Sequence, residues 1–195
     1  MKLFLICFLT FVGISNIFAE SFSQIVFGTR EYSCDLTATI NDNTKKSIPL
    51  KLVSYNGYIK VINEKEGKSL IVNIENNLII LDDKNRTYTN GSKELNTIKG
   101  NKFSDFDFPL LSGNKNTLVS KKGNKEFAEY LIGSPYAKYP YKIILDKSNN
   151  TIEILNKKNV GVLKLFNIHF TADKSCFSIP STYIHKEPTP KLNER

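Results

Sequence analysis

The feature that most constrains this chain is its punctuation. Short runs rich in Ile, Val, Leu and Tyr alternate with clusters of Asn, Asp and Gly from Cys34 almost to the end. "IPLKLVSY" and "YIKVIN" flank Asn56-Gly57, a dipeptide that readily supplies the two positive-φ positions of a tight hairpin turn. "CDLTATI" alternates, with Leu36, Ala38 and Ile40 to one side. "SLIVNI" and "LIILDD" join through Glu75, Asn76 and Asn77, and "RTYT" stops before Asn90-Gly91. Later come "NTLVS", the turn "KKGNK", "EFAEYLI", the loop "GSPYAKYP" and "YKIILD". Runs of this length and composition between turn formers read as antiparallel strands, about ten or eleven of them. No segment keeps a helical period beyond two turns. The expected fold class is mainly β: a single strongly curved antiparallel sheet, or its barrel-like closure, because large sheets must curl or close. A few short helices complete it. "ESFSQIVFG" reads as a helix or an extended lead-in, and "FSDFDFPLLSG" as a short helical or coiled crossing.

The stretch "NNTIEILNKKNVGVLKLFNIHF" poses the main architectural question. Its first strand has Ile152 and Ile154 on one side and Thr151 and Glu153 on the other. In its second strand an uninterrupted period of two puts Val160, Val162, Phe166, Ile168 and Phe170 on one face and Leu163 and Leu165 on the opposite face. A strand with one face in water should be polar there. A helix, a second layer of chain or a ligand must cover it.

Residues 1–19 have the layout of a secretory signal peptide: Lys2, an apolar run from Leu3 to Ile14, a polar break, then Ala19 at the expected cut. The apolar run is short for a membrane span. The expectation is an exported protein, periplasmic or secreted, with one β-rich domain over residues 20–183 and a flexible tail over 184–195. "SCFSIPSTY" reads as a last aromatic strand stopped by Pro180. Of three cysteines, Cys7 falls in the leader, which leaves Cys34 and Cys176 as an even pair in an oxidising compartment. A disulfide between them is expected, and closing so long a loop would stabilise by about 5 kcal/mol in the chain-entropy model. Two buried free thiols are the alternative.

The formal net charge is +8, carried mostly by Lys scattered among Asp, Glu and Asn. That is a solvated surface, or one attracted to an anionic membrane surface. No nucleic-acid-binding motif is present. The search for chemistry finds little. The two histidines are His169, in the last long strand, and His185, in the tail. No spacing suggests a metal site, no phosphate loop or nucleophile elbow occurs, and no cofactor is expected. Asp82 and Asp83, adjacent on a strand, point to opposite faces. No catalytic residue is assigned, and the chain reads as a non-enzyme.

The order of elements, and the segment "IILDKSNNTIEILNKKNVGVLKLFNIHFTADKSCFSIP", resemble the periplasmic lipoprotein carriers of the LolA-like fold. The matching positions are Ile143 to Leu145, Ile152 to Leu155, Gly161, Leu163 to Phe170, and Phe177 with Pro180; "FPLLSG" (Phe108 to Gly113) resembles the family's apolar crossing. The resemblance covers the second half of the chain, and the first half by pattern alone. The family's Arg-Pro pair is absent, so its functional arginine is carried over to neither Arg30 nor Arg86. The resemblance implies a half-barrel sheet whose concave face encloses an apolar cavity for a lipid, a lipoprotein acyl chain or another hydrophobic ligand, without catalysis. The cavity candidates are Phe108, Leu110, Leu111, Leu163, Leu165, Phe166, Ile168 and Phe170.

Three readings follow. The first is a monomeric carrier or chaperone for a hydrophobic ligand. The second is a secreted or surface protein-interaction module with a filled core. The third is a hydrolase built around His169, which would need a carboxylate and a hydroxyl beside it.

Overall fold

A computed structural model describes residues 20–39, 47–72, 78–91, 108–113, 115–135, 137–155 and 161–187. Residues 1–19, 40–46, 73–77, 92–107, 114, 136, 156–160 and 188–195 lie outside this set. The chain runs through α1 (Phe22–Phe27), β1 (Glu31–Thr39), β2 (Ser47–Tyr55), β3 (Tyr58–Asn63), β4 (Lys68–Val72), β5 (Leu78–Asp82) and β6 (Thr87–Asn90). Then come α2 (Phe108–Leu111), β7 (Thr117–Gly123), β8 (Phe127–Gly133), β9 (Tyr141–Asp146), β10 (Thr151–Leu155) and β11 (Gly161–His169). A 3-10 turn (Lys174–Phe177) and β12 (Ile184–His185) close the described chain.

All the strands lie in one sheet, ordered β12-β6-β5-β4-β3-β2-β1-β11-β10-β9-β8-β7. Every pairing is antiparallel except that of β12 with β6. The sheet is open, with β12 and β7 at its edges, so the barrel-like closure allowed by the sequence does not form. Two runs of neighbouring hairpins meet where β1 pairs with β11.

Local chemistry sets the turns. Asn56 and Gly57 take φ of 47° and 87° between β2 and β3, the mirror-image geometry that matches strand twist. Between β9 and β10, the Asp146 carboxylate accepts from the Asn149 amide, the Asn149 side chain and the Ser148 hydroxyl, while Asn150 sits at φ 48°. These bonds hold the Asp146 carboxyl below its ordinary range.

One face of the sheet is continuously apolar. Across the first half, Cys34, Leu52, Val61, Leu70 and Ile80 stand opposite one another in register. Across the second, Leu36, Leu165, Ile152, Leu145 and Ala128 do the same. The two rows form a single core, which also takes in Phe22 and Val26 of α1 and Leu110 and Leu111 of α2. Both helices therefore lie on this core face.

The period of two in β11 is broken. Asn167 takes φ 52°, and three steps on β11, Phe166 to His169, match two on β1, Asp35 to Ser33. This is a β-bulge, and it turns every following side chain to the other face. Leu163, Leu165 and Ile168 consequently share the core face, and Phe166 points the other way, half-buried. The assignment of Ile168 to the face of Phe166 is corrected by this one backbone turn. Asn167 anchors the bulge by donating from Nδ2 to Asp35 Oδ2 at 2.8 Å.

The second face has its own cover. Ile71 and Leu81 point away from the core yet are 3% and 1% exposed. After β11 the chain crosses this face as a strap. Lys60 donates from Nζ to the Cys176 carbonyl at 2.9 Å. Phe177 packs on Tyr58 with ring centroids 6.0 Å apart, and the Lys174 ammonium lies 4.6 Å from the Tyr55 ring. Farther along, the Tyr183 hydroxyl donates to Asp83 at 2.7 Å, and β12 adds in parallel to β6. The aromatic strand expected at "SCFSIPSTY" is thus a 3-10 turn and an extended strap, and Ile184 and His185 of the expected tail form an edge strand. Asp173 starts the 3-10 turn by accepting from the Ser175 amide and hydroxyl.

Candidate ligand site

The region between the core face and its two helices is assembled from short pieces. In "SFSQIVFG" the Ser21 hydroxyl accepts from the Gln24 amide and the Gln24 side chain reaches back to the Ser21 amide, a capping box that starts α1. Gly28, at φ 73°, stops it. The single turn and a half presents Phe22 and Val26 to the sheet. α2 is one turn long and presents Leu110 and Leu111. Its last carbonyls lack intrahelical partners. Asn116, itself 1% exposed, donates from Nδ2 to the Leu110 carbonyl at 2.9 Å. The backbone of Asn116 also exchanges two hydrogen bonds with Glu20, at 2.9 and 3.1 Å. One residue thereby ties the end of α2 to the chain entering α1.

Beneath this roof the layer is apolar, with three tyrosines pointing in from Tyr32, Tyr130 and Tyr141. The Tyr130 hydroxyl reaches the Val26 carbonyl at 3.5 Å, at the limit of a hydrogen bond. Tyr32 is fully buried and its hydroxyl has no hydrogen-bond partner among the described residues. Ser54 stands across from it on β2 and draws its pKa down slightly, but without the geometry of a hydrogen bond. Burial dominates and pushes the Tyr32 phenol well up. The Ser112 hydroxyl, just past α2, is likewise buried and unpartnered. At the rim over β1 and β11, Phe27 packs between Tyr32 and Phe170 with centroids 5.1 and 5.4 Å away, and Phe170 is left 55% exposed.

Of the sequence-derived cavity residues, Leu110, Leu111, Leu163, Leu165 and Ile168 come together in this core. Phe166 lies on the opposite face, and Phe170 sits at the rim. The side chain of Phe108 is outside the described set. Sequence reasoning missed Tyr32, Ser112 and Asn116. The capping-box spelling of "SFSQ" was a usable sign of α1, but nothing in the sequence marks Asn116 as the clasp of α2.

The expected disulfide does not form: Cys34 and Cys176 are free thiols. Cys34 belongs to the core face, whereas the Cys176 carbonyl is held by Lys60 on the second face, so the sheet separates them. Burial raises the Cys34 thiol pKa strongly, with Asp35 adding to the effect, and burial also raises that of Cys176. Neither is poised as a thiolate nucleophile. His169 is exposed, opposite Ser33 on the second face, and makes no hydrogen bond or ion pair among the described residues. Among the described residues no group of His, Cys, Asp or Glu is arranged to hold a metal, and no described helix is long and apolar enough to cross a membrane.

Comparison with protein-family models and with curated proteins finds no match for this chain.

Proposed function

We infer that this chain is an exported, non-catalytic binding protein that carries a hydrophobic ligand, a lipid or an acyl chain, between the core face of its sheet and the two short helices. One observation carries the reading. Among the described residues a broad apolar sheet face is overlaid by two short helices, and two hydroxyls, Tyr32 and Ser112, are buried without a hydrogen-bond partner. A buried polar group left unpaired costs about 1–3 kcal/mol. A ligand entering under the roof with a hydrogen-bonding group along its length would satisfy those hydroxyls. The resemblance to the LolA-like carriers points the same way, as does the leader-like segment. The +8 charge would favour approach to an anionic membrane surface.

The test is native mass spectrometry of the mature protein purified from cells, followed by organic extraction and titration with a fluorescent fatty acid. A co-purified acyl species, or saturable probe uptake weakened by Tyr32→Phe, supports the carrier. An apo mass with no probe uptake rejects it.

The edge strand β7 favours the interaction-module reading. Leu118, Val119 and neighbouring Phe127 are 45%, 55% and 51% exposed. The bulge at Val119 and the pair Lys121-Lys122 blunt this edge against open-ended strand addition.

A further inference from the structure

A cleft lies at the far end of the core face, where the β3–β4 and β5–β6 turns meet the start of β2. Its volume is about 380 Å³, in the range of small-ligand sites. Ile48 forms one wall and packs on the core, so the cleft opens at the end of the apolar interior. Among the described residues Lys65, Lys68 and Lys84 line it, against one carboxylate, Glu66. None of the three lysines forms an ion pair or hydrogen bond among the described residues. Asp82, across from Lys68, accepts from the amide and side chain of Asn85 and also feels the Lys68 charge, so Lys68 is the most engaged of the three.

The walls are built rather than loose. Gly67, at φ 64°, accepts at its carbonyl from the Asp83 amide at 2.9 Å, which fastens the two turns together. A β-carbon at Gly67 would stand 2.7 Å from Lys84 Cγ, so the absence of a side chain lets the Lys84 stem lie across this turn. Asn63 also lines the cleft and is 2% exposed. Its Oδ1 accepts from the Glu66 amide at 3.2 Å, and no described acceptor takes its Nδ2 hydrogens. Three lysine side chains, none in an ion pair among the described residues, stand with the Asn63 side-chain amide around the cleft, a donor set suited to an oxyanion.

We propose that this cleft binds a phosphate-type oxyanion, as the head group of an amphiphile whose chain runs past Ile48 into the interior. The head-group part rests on the cleft alone; the amphiphile part rests on the carrier reading above. The source of the anion is separable by experiment. The mature protein, ¹⁵N-labelled, is titrated with dodecyl phosphate below its micelle concentration, with dodecyl maltoside, and with inorganic phosphate. The same titrations follow on K68Q/K84Q, after its unfolding midpoint is shown to match the parent. Dodecyl phosphate should shift the Gly67 amide and the Asn63 side-chain amide and bind about ten-fold or more weakly to the variant, as expected when charge-assisted contacts are lost. Dodecyl maltoside should bind both alike. Equal affinity of both proteins for dodecyl phosphate overturns the proposal. If neither detergent binds, the carrier reading falls. The cleft then stands only if inorganic phosphate moves the Asn63 and Gly67 signals in the parent and not in the variant, and it falls if phosphate moves neither.

Discussion

The side-chain amide of Asn116 donates to the carbonyl of Leu110 at 2.9 Å, and both residues are buried. Because Asn116 also pairs with Glu20, this contact joins the two helices that cover the core face. Replacing Asn116 by Ala leaves a buried carbonyl unpaired. The expected loss is about 1–3 kcal/mol of unfolding free energy, read from urea denaturation. Hydrogen exchange should quicken at Leu110 and Leu111 before it does in β9 or β10. Uniform exchange across the protein would mean that the contact is not a local clasp.

The bulge at Asn167 makes a paired prediction. Leu165, fully buried in the core, should lose about 2–5 kcal/mol on conversion to Ala. Phe166→Ala, on the half-buried second face, should cost clearly less despite the larger deletion. Asn167→Gly should be tolerated, since glycine occupies positive φ freely, whereas Asn167→Val should cost about 1–2 kcal/mol from backbone strain alone. Thermal or urea unfolding of the four variants decides. A Phe166→Ala loss equal to that of Leu165→Ala would contradict the place of Phe166 on the second face, and an Asn167→Val variant as stable as the parent would contradict the bulge.

Free thiols give a chemical test. The intact mass of the folded protein should show both Cys34 and Cys176 reduced, and an alkylating reagent should label Cys176 well before Cys34. Cys34 also predicts a pH dependence. Its folded thiol pKa is raised, so above the ordinary value of 9.0 the unfolded chain releases a proton that the folded chain keeps. Unfolding is thereby favoured, and stability should fall as pH rises from 9.0; Tyr32, raised in the same way, steepens the fall above 10.0. The Cys34→Ala variant should show a shallower alkaline decline. A parent and variant with parallel profiles would refute the assignment.

Truncating the chain after Ala172 removes the strap. Tyr58, Tyr55 and Lys60 would then lose Phe177, Lys174 and the Cys176 carbonyl, and β6 would lose its parallel neighbour. The truncated protein should melt earlier and bind a hydrophobic dye. An unchanged melting point with no dye binding would show that the strap adds nothing to the second face.

Much of this architecture was readable in the sequence because turn chemistry is local. Asn56-Gly57 and the 147–150 turn specify their hairpins through residues that tolerate positive φ, and "SFSQ" and "FPLL" broke the strand period where the two helices form. What could not be read depends on single backbone choices or on distance in sequence. A bulge costs one residue of register and reverses a face, and only Asn167 hinted at it. The strap reads as an aromatic strand, because alternation cannot tell pairing within a sheet from lying across one. The disulfide failed for a related reason. Compartment and parity favour pairing, but the sheet interposed between Cys34 and Cys176 is a tertiary fact. Of the candidate cavity residues, Leu163 and Leu165 share the core face as their alternation indicates, Ile168 joins them through the bulge, Phe166 alternates onto the second face and Phe170 ends at the rim. The lysine cleft was invisible because its members sit on two turns brought together by one glycine carbonyl.

The pairing of β1 with β11 governs how the molecule can be made. β1 is formed near the start of the chain, yet its outer partner is synthesised after nearly all the other strands. Until β11 arrives, the chain holds two half-sheets, each with a bare central edge. Contacts so distant in sequence slow folding and expose such edges to wrong partners. A nascent chain arrested before residue 161 should therefore aggregate, while the same chain extended through residue 187 should not.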